Sequence, residues 1–541
     1  MANARWRRTC TGLAAGLGAL LLSNASALAD EPQQGGTFII GIEGEPGSMV
    51  AHLATDTAAL MVASNVLNGL IGLDFDFEPV PDLAESWALS EDGTTYTFQI
   101  VQGARWHDGE PVTAHDVAFT FNDVIAEVHP RAGTWWPNVE RAEATDDHTF
   151  VIELKEPYAP FLTVLGNVLG SGTLMLPRHI YEGTDPNTNE ANRAPIGSGP
   201  FRFETWVPGS HVELVRNEDY FKEGLPYLDR VIVQFLPDAA ARLLAFENGE
   251  VDFLHWYIVP HERVADLRAD ERFEIVEAGG EAAATNEYIL FNTRSEPLSD
   301  VRVRQAIAYA LDRDEITDLS MFGEGNAARS FVNSGLGWIF APEFDVYDEG
   351  TREEQLETAN ALLDEAGFAR EATGTRFPLR LFWASGRDYE GRAAEVIRDQ
   401  LRDVGIDITI SVFDRPTFID RVFRQWDFDI AHQLFTTGPD PTISVTPRYH
   451  SQQIKPEPFV NGMGYANADL DALFDAEFAV VDREERAAMW REIQEILMRD
   501  LPGVPLFEMP VVNAVNASFK DVITSPIGYI QSRENAYYTG N

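Results

Sequence analysis

Cysteine is all but missing here: Cys10 is the only one in 541 residues. It precedes an apolar run instead of following one, which does not fit a lipid-attachment cysteine. Without further cysteines, a disulfide framework and thiolate metal sites are excluded for the rest of the chain. Positive charge is scarce as well. Lysine occurs only at Lys155, Lys222, Lys455 and Lys520, and the formal net charge is −45. A field of that sign repels nucleic acid and anionic lipid, and it suits a heavily solvated surface. Beyond Leu22 no apolar stretch approaches the length of a membrane-spanning helix. Signatures of covalent chemistry are lacking too. The eleven histidines show no HExxH and no paired spacing on a helix, and His432 and His450 merely flank one loop. Ser198 sits in Gly197-Ser198-Gly199, where a hydrolase elbow needs a different spacing. Residues 323–328 spell a dinucleotide fingerprint but follow a helical stretch where a strand is required. No cofactor and no metal is implied.

What is present begins with an export signal. Arg5, Arg7 and Arg8 form a basic start, Gly12 to Leu22 is apolar but too short to span a bilayer, and Ala27-Leu28-Ala29 reads as a cleavage site. Residues 1–29 are therefore expected to be removed after Ala29, which leaves a chain more acidic still. Its length implies two or more lobes and a core large enough to need no disulfides.

Along the chain, helical and extended patterns alternate. Gly36–Ile42 reads as a strand, Thr57–Leu70 as a helix and Val151–Leu154 as a strand. Later come a helix over Val301–Leu311, a helix over Glu354–Ala366, a strand over Leu379–Trp383, a helix over Ala393–Val404 and strands over Ile406–Val412 and Asp427–Ala431. Alternation at this spacing predicts an α/β lobe with largely parallel strands. Two amphipathic helices, Asp469–Ala479 and Arg483–Arg499, precede short extended segments at 505–507 and 511–512.

Five stretches stand out as landmarks. Residues 81–122 carry a short segment ending at Trp87, a turn at Glu91-Asp92-Gly93, an alternating Tyr96, Phe98 and Ile100, a second turn at His107-Asp108-Gly109, and a helix capped by Thr113. Residues 195–201 form a turn with two glycines between prolines. Asn217–Phe221 and Asn248–Phe253 give N-x-D-Y-F and a helix stop followed by V-D-F. Residues 291–316 read FNTRSEPLSDVRVRQAIAYALDRDEI. In this order they resemble the family 5 extracytoplasmic solute-binding proteins of ABC importers, the peptide, nickel and opine type, over essentially the whole chain after residue 29.

The resemblance implies a two-lobe α/β periplasmic binding protein of type II, enlarged by an extra subdomain and joined by short hinge strands. The expected division is lobe I over 30–288 with the subdomain at about 75–195, lobe II over 289–507, and a return segment at 508–541 that completes lobe I. It also implies a non-enzymatic, periplasmic carrier, expected as a monomer. Such a carrier closes on a peptide or peptide-like small molecule and delivers it to an inner-membrane ABC permease with cytoplasmic ATPase subunits. An oligosaccharide or opine is the alternative cargo, and a cleft rich in Trp and amides without opposed charges would mark it. A secreted hydrolase is the rival class, and a chaperone-like role also fits the resemblance.

Candidate ligand contacts lie in loops at strand ends. Trp256 and Tyr257 follow the V-D-F strand, and Trp383 and Arg387 end another; each tryptophan reads equally as core packing, and Arg387 as a carboxylate clamp or a solvated cation. The loop from Phe435 to Pro441 matches the place where peptide-binding members typically carry an aspartate for the peptide ammonium. Thr437 stands there instead, with Asp440 nearer the closing proline, and Glu45 in the first loop is the remaining acidic candidate.

Overall fold

The computed structural model describes residues 32–540 apart from 54, 55 and 169–171; the expected signal segment lies outside the described residues. Three sheets organise the chain. A seven-stranded sheet has the order Phe273–Val276, Asn513–Asn516, Phe253–Leu254, Thr37–Ile42, Arg230–Phe235, His211–Arg216 and Phe201–Val207. A six-stranded sheet runs Asn326–Ala327, Gly503–Glu508, Thr285–Phe291, Ile430–Thr436, Phe377–Ala384 and Ile406–Phe413. A four-stranded antiparallel sheet joins Ala84–Leu89, Thr95–Ile100, Thr149–Leu154 and Val139–Ala144. Each sheet has its own apolar core, built around Ile307 and Leu381 for the six-stranded sheet, Phe38 and Val233 for the seven-stranded, and Phe98 and Phe150 for the four-stranded.

The expected helices form with small shifts at their ends. Thr57–Val66 is capped by the Asp56 carboxylate, which accepts from Ala59 N, and it stops where Leu67 turns extended. Arg352–Glu365 opens on a capping box between Thr351 and Glu354. Asp388–Asp403 and Arg483–Asp500 pack along the six-stranded sheet's core through Ile397 and Trp490. The strand predicted at 427–431 starts later, at Ile430, because the Asp427 and Asp429 carboxylates are drawn to Arg380 at 2.7 and 3.0 Å.

The strands are not largely parallel. In the six-stranded sheet Phe377–Ala384 lies parallel to both its neighbours, while Thr285–Phe291 is antiparallel on both sides. In the seven-stranded sheet only Thr37–Ile42 has parallel neighbours on both sides. The reason is topological. The chain leaves the first sheet after Val276 and enters the second at Thr285, then leaves the second at Glu508 and re-enters the first at Asn513. Strands that carry the chain in and out side by side must run in opposite directions.

Two of the landmarks lock to one another. Segment 84–89, near the start of the first, is itself a strand, paired with Thr95–Ile100 across the Glu91-Asp92-Gly93 turn. His107 Nδ1 accepts from Gly197 N at 3.1 Å while Nε2 lies 3.0 Å from the Gly199 carbonyl. Burial pushes the His107 pKa down to about 4, so the ring is neutral and serves as a two-sided clamp. Gly197 and Gly199 pack so closely on the Val66 carbonyl that neither has room for a Cβ.

Candidate functional site

Strands Thr37–Ile42 and Phe253–Leu254 are parallel neighbours, so their C-terminal ends open at one edge of the seven-stranded sheet. Glu43 and Tyr257 lie just beyond those ends. Facing them are residues 436–440, where Ile430–Thr436 leaves the six-stranded sheet. These loops, the Arg131–Trp135 turn of the four-stranded region and Tyr529 enclose a cavity of ≈ 570 Å³. Small-molecule sites typically run to roughly 300–1,000 Å³ and occur where loops of separate layers meet.

Aromatic rings form one wall. Tyr257 stacks on Trp256 with centroids 3.6 Å apart, and Tyr529 stands edge-on to both, at 5.8 Å from Tyr257 and 6.1 Å from Trp256. Trp256 is buried at 2% exposure, whereas Tyr257 keeps 46% of its surface accessible. The buried indole therefore fixes the plane of the exposed phenol. Charge of both signs reaches the same cavity through Glu43 and Arg131. Burial works against ionisation of Glu43, but the His255 imidazole at 3.1 Å, the backbone N–H and Arg242 hold its pKa down at about 2. It is an anion throughout the physiological range.

The structure places the residues expected from sequence in several settings. Tyr257 and Asp440 line this cavity. Both Asp440 oxygens are held at 2.6 Å by the Arg486 guanidinium, and the carboxylate also caps Pro441–Ser444 through Thr442 N. Arg486 in turn donates to buried Glu477 at 2.9 Å. Thr437 is wholly buried, with its N–H donated to the Ala284 carbonyl at 2.8 Å. Phe435 is buried beneath the Arg448 guanidinium, 4.3 Å from the ring centroid. Glu45 accepts from Trp206 Nε1 at 2.8 Å and Gly209 N at 3.1 Å, and so pins the turn between Phe201–Val207 and His211–Arg216. Trp383 lies against Gly391 of the helix Asp388–Asp403. Arg387 donates to buried Glu390 at 2.9 Å.

Sequence reasoning missed Glu43, Arg131 and Tyr529. Glu43 carried a usable signal, since it is the first polar residue beyond the strand; Arg131 and Tyr529 arrive from distant segments and carried none. A second titratable group escaped notice. Glu287, His432 and Glu390 are all fully buried, with His432 Nε2 3.2 Å from Glu287. Burial and the Glu287 charge push the Glu390 pKa up to about 7.

Comparison with known proteins gives this architecture a family. The model of the bacterial extracellular solute-binding proteins, family 5 Middle, matches residues 78–456. The chain belongs to that family, the solute-binding proteins of ABC importers. It is 30% identical over 497 residues to the oligopeptide-binding protein AppA of Bacillus subtilis (strain 168), covering 90% of this chain and 88% of that protein. It is 26% identical over 469 residues to the glutathione-binding protein GsiB of Salmonella typhi, covering 85% and 86%. Among solved structures, the ABC transporter substrate-binding protein CtaP (Lmo0135) from Listeria monocytogenes superposes with TM-score 0.79 at 27% identity, over 94% of this chain and 100% of that one. The expected two-lobe binding-protein fold holds.

Proposed function

We propose that this protein captures a peptide or peptide-like small molecule between its two large sheets and hands it to a membrane ABC permease, with no covalent chemistry. The observation that carries the reading is the ≈ 570 Å³ cavity whose walls come from both sheets. A ligand there touches Tyr257 and Glu43 on one side and residues 436–440 on the other. It favours the closed arrangement by exactly its differential contacts with the two sides. Relatives named for oligopeptide and glutathione binding support a peptide-like cargo. So does the presence of both an acid, Glu43, and a base, Arg131, in the cavity lining, since a saccharide needs no opposed charges. The lobe division expected at 288 and 508 lies beside the crossovers 277–284 and 509–512, where the chain passes between the large sheets, and the four-stranded sheet supports the added subdomain expected at about 75–195. Export through a signal ending at Ala29 and action as a monomer in the periplasm complete the proposal.

Thermal-shift measurements on purified residues 30–541 test it. Short peptides raise the melting temperature in a concentration-dependent way, while oligosaccharides and opines leave it unchanged. Stabilisation by a saccharide or opine alone would replace the cargo, and stabilisation by none of the three classes would remove the reading.

A further inference from the structure

A second cavity, of ≈ 360 Å³, lies at the two crossovers between the large sheets. Segment 277–285 and segment 508–512 pass along it, and Asn333–Gly335 closes its far side. Four carboxylates line it: Glu277, Glu281, Glu324 and Glu508. Two of them share one cation, because Arg268 binds Glu277 at 2.8 Å and Glu324 at 2.9 Å. The other two have no such partner among the described residues. Glu281 accepts from Gly279 N at 2.7 Å, and Glu508 accepts from Ser334 N at 2.7 Å and from the Ser334 hydroxyl. Burial pushes both carboxyls up from their ordinary range, and no cation acts against it.

An independent observation points to a ligand. The Trp256 side chain lines the same cavity, is 2% exposed, and its Nε1 finds no hydrogen-bond partner among the described residues. The N–H stands at the cavity wall, since a Cβ on the lining residue Gly280 would come within 3.0 Å of it. A buried indole N–H is normally paired, and leaving it unpaired is costly. The cavity therefore asks for two things at once: a cation beside Glu281 and Glu508, and an uncharged oxygen acceptor for Trp256. Among the described residues no three His, Cys, Asp or Glu side chains are placed to hold a metal ion. An organic ammonium with a neighbouring carbonyl meets both demands; a ligand carboxylate so close to the glutamates would be repelled.

We propose that the crossover cavity binds the amino end of a peptide-like ligand, its ammonium between Glu281 and Glu508 and its first carbonyl on the Trp256 N–H. This rests on the peptide-like reading above and moves the ammonium anchor away from the loop 435–441. There Thr437 replaces an acid and Asp440 is consumed by Arg486. Both crossovers carry residues of the site, so occupancy there also fixes the hinge between the sheets.

The test uses glycinamide, which is an amino end and nothing more, against N-acetylglycinamide and glycine, by calorimetry on the full mature chain. Glycinamide binds at millimolar concentration; N-acetylglycinamide, lacking the ammonium, does not, and glycine binds more weakly because its carboxylate faces the glutamates. Glu281→Gln keeps the acceptor for Gly279 and weakens glycinamide tenfold or more, as loss of a charge-assisted bond does. Glu508→Gln serves as the second variant. Equal binding of the acetylated probe, no binding of glycinamide, or unchanged affinity in both variants overturns the inference. So does calcium competing for the site. If short peptides still stabilise the protein in that case, the proposed function stands and only the placement of the amino end falls. If glycinamide binds while no peptide does, the placement of the ammonium stands and the peptide reading falls.

Discussion

Asp440 and Arg486, 46 residues apart in sequence, form a buried bidentate pair with both N···O distances at 2.6 Å. The pair is continued by Glu477, which also accepts from Trp490 Nε1 at 3.1 Å and from the Thr442 hydroxyl at 2.7 Å. Asp440 is thereby a structural residue of the loop that faces the main cavity. Asp440→Asn keeps the shape and strands a buried guanidinium beside a single carboxylate. Removing one partner of such a pair costs about 3–5 kcal/mol. The urea midpoint should fall accordingly with an unchanged slope, while the preference for free over acetylated amino ends persists.

Gly197 illustrates a different kind of necessity. Its missing Cβ is replaced by the Val66 carbonyl, and its N–H and carbonyl are both engaged by His107. Gly197→Ala should destabilise the protein by about 4 kcal/mol or more, the range of severe backbone clashes. Gly47→Ala, where a Cβ meets nothing within 4 Å, should change stability by less than about 0.5 kcal/mol. Chemical denaturation of the two variants side by side checks the contrast.

The contrast also shows what was legible in the sequence. The glycine turn at 195–201 and the Thr113 cap announce themselves because their physics is local: steric room and a side chain within three residues of the amide it caps. The alternation that named the helices is local too. Asp440, by comparison, looks from its neighbours like a free acid in a ligand loop. Only the return of helix Arg483–Asp500 shows that its charge is spent. Glu45 is alike in this, since its partners Trp206 and Gly209 lie more than 160 residues away. Glu43, Arg131 and Tyr529 come from three separate regions, and their meeting is a property of the tertiary fold. Parallel against antiparallel pairing was likewise hidden, because it depends on where the chain crosses between sheets.

Stability should depend on pH through the buried group of Glu287, His432 and Glu390, with Arg387 and Tyr389 at its edge. Burial and Glu287 raise the Glu390 pKa from 4.5 to about 7, so the folded protein holds a proton that the unfolded chain releases. Between those values stability falls as pH rises. His432 acts in the same direction: burial opposes its charge, yet Glu287 and Glu390 outweigh it and raise its pKa, so its contribution is full below 6.5 and lost above. Glu43, held at about 2, contributes above pH 4.5 and loses its effect only in acid, outside this window. The unfolding free energy should therefore decline from pH 5 to 8, by at most about 1.4 kcal/mol per pH unit for each group. Glu390→Gln should flatten the profile and be the more stable form at pH 8.

Adjacent residues Trp256 and Tyr257 should separate stability from binding. Their rings stack at 3.6 Å, but the indole is buried in the core of the seven-stranded sheet while the phenol faces the ≈ 570 Å³ cavity. Trp256→Ala opens a cavity in that core and should cost about 3–5 kcal/mol. It also removes the surface on which Tyr257 lies, so affinity falls with stability. Tyr257→Ala removes a ring that is already 46% exposed, so the melting temperature without ligand should barely move. With a short peptide the loss appears instead in affinity. Burying an aromatic side chain contributes roughly 1.5–3 kcal/mol, which is about a ten- to hundredfold rise in Kd. Tyr257→Phe keeps the ring and should retain most of the affinity. Calorimetric titration of the three variants with one stabilising dipeptide decides the matter. If Tyr257→Ala bound as tightly as the unaltered protein, the ligand would have to lie away from the aromatic wall.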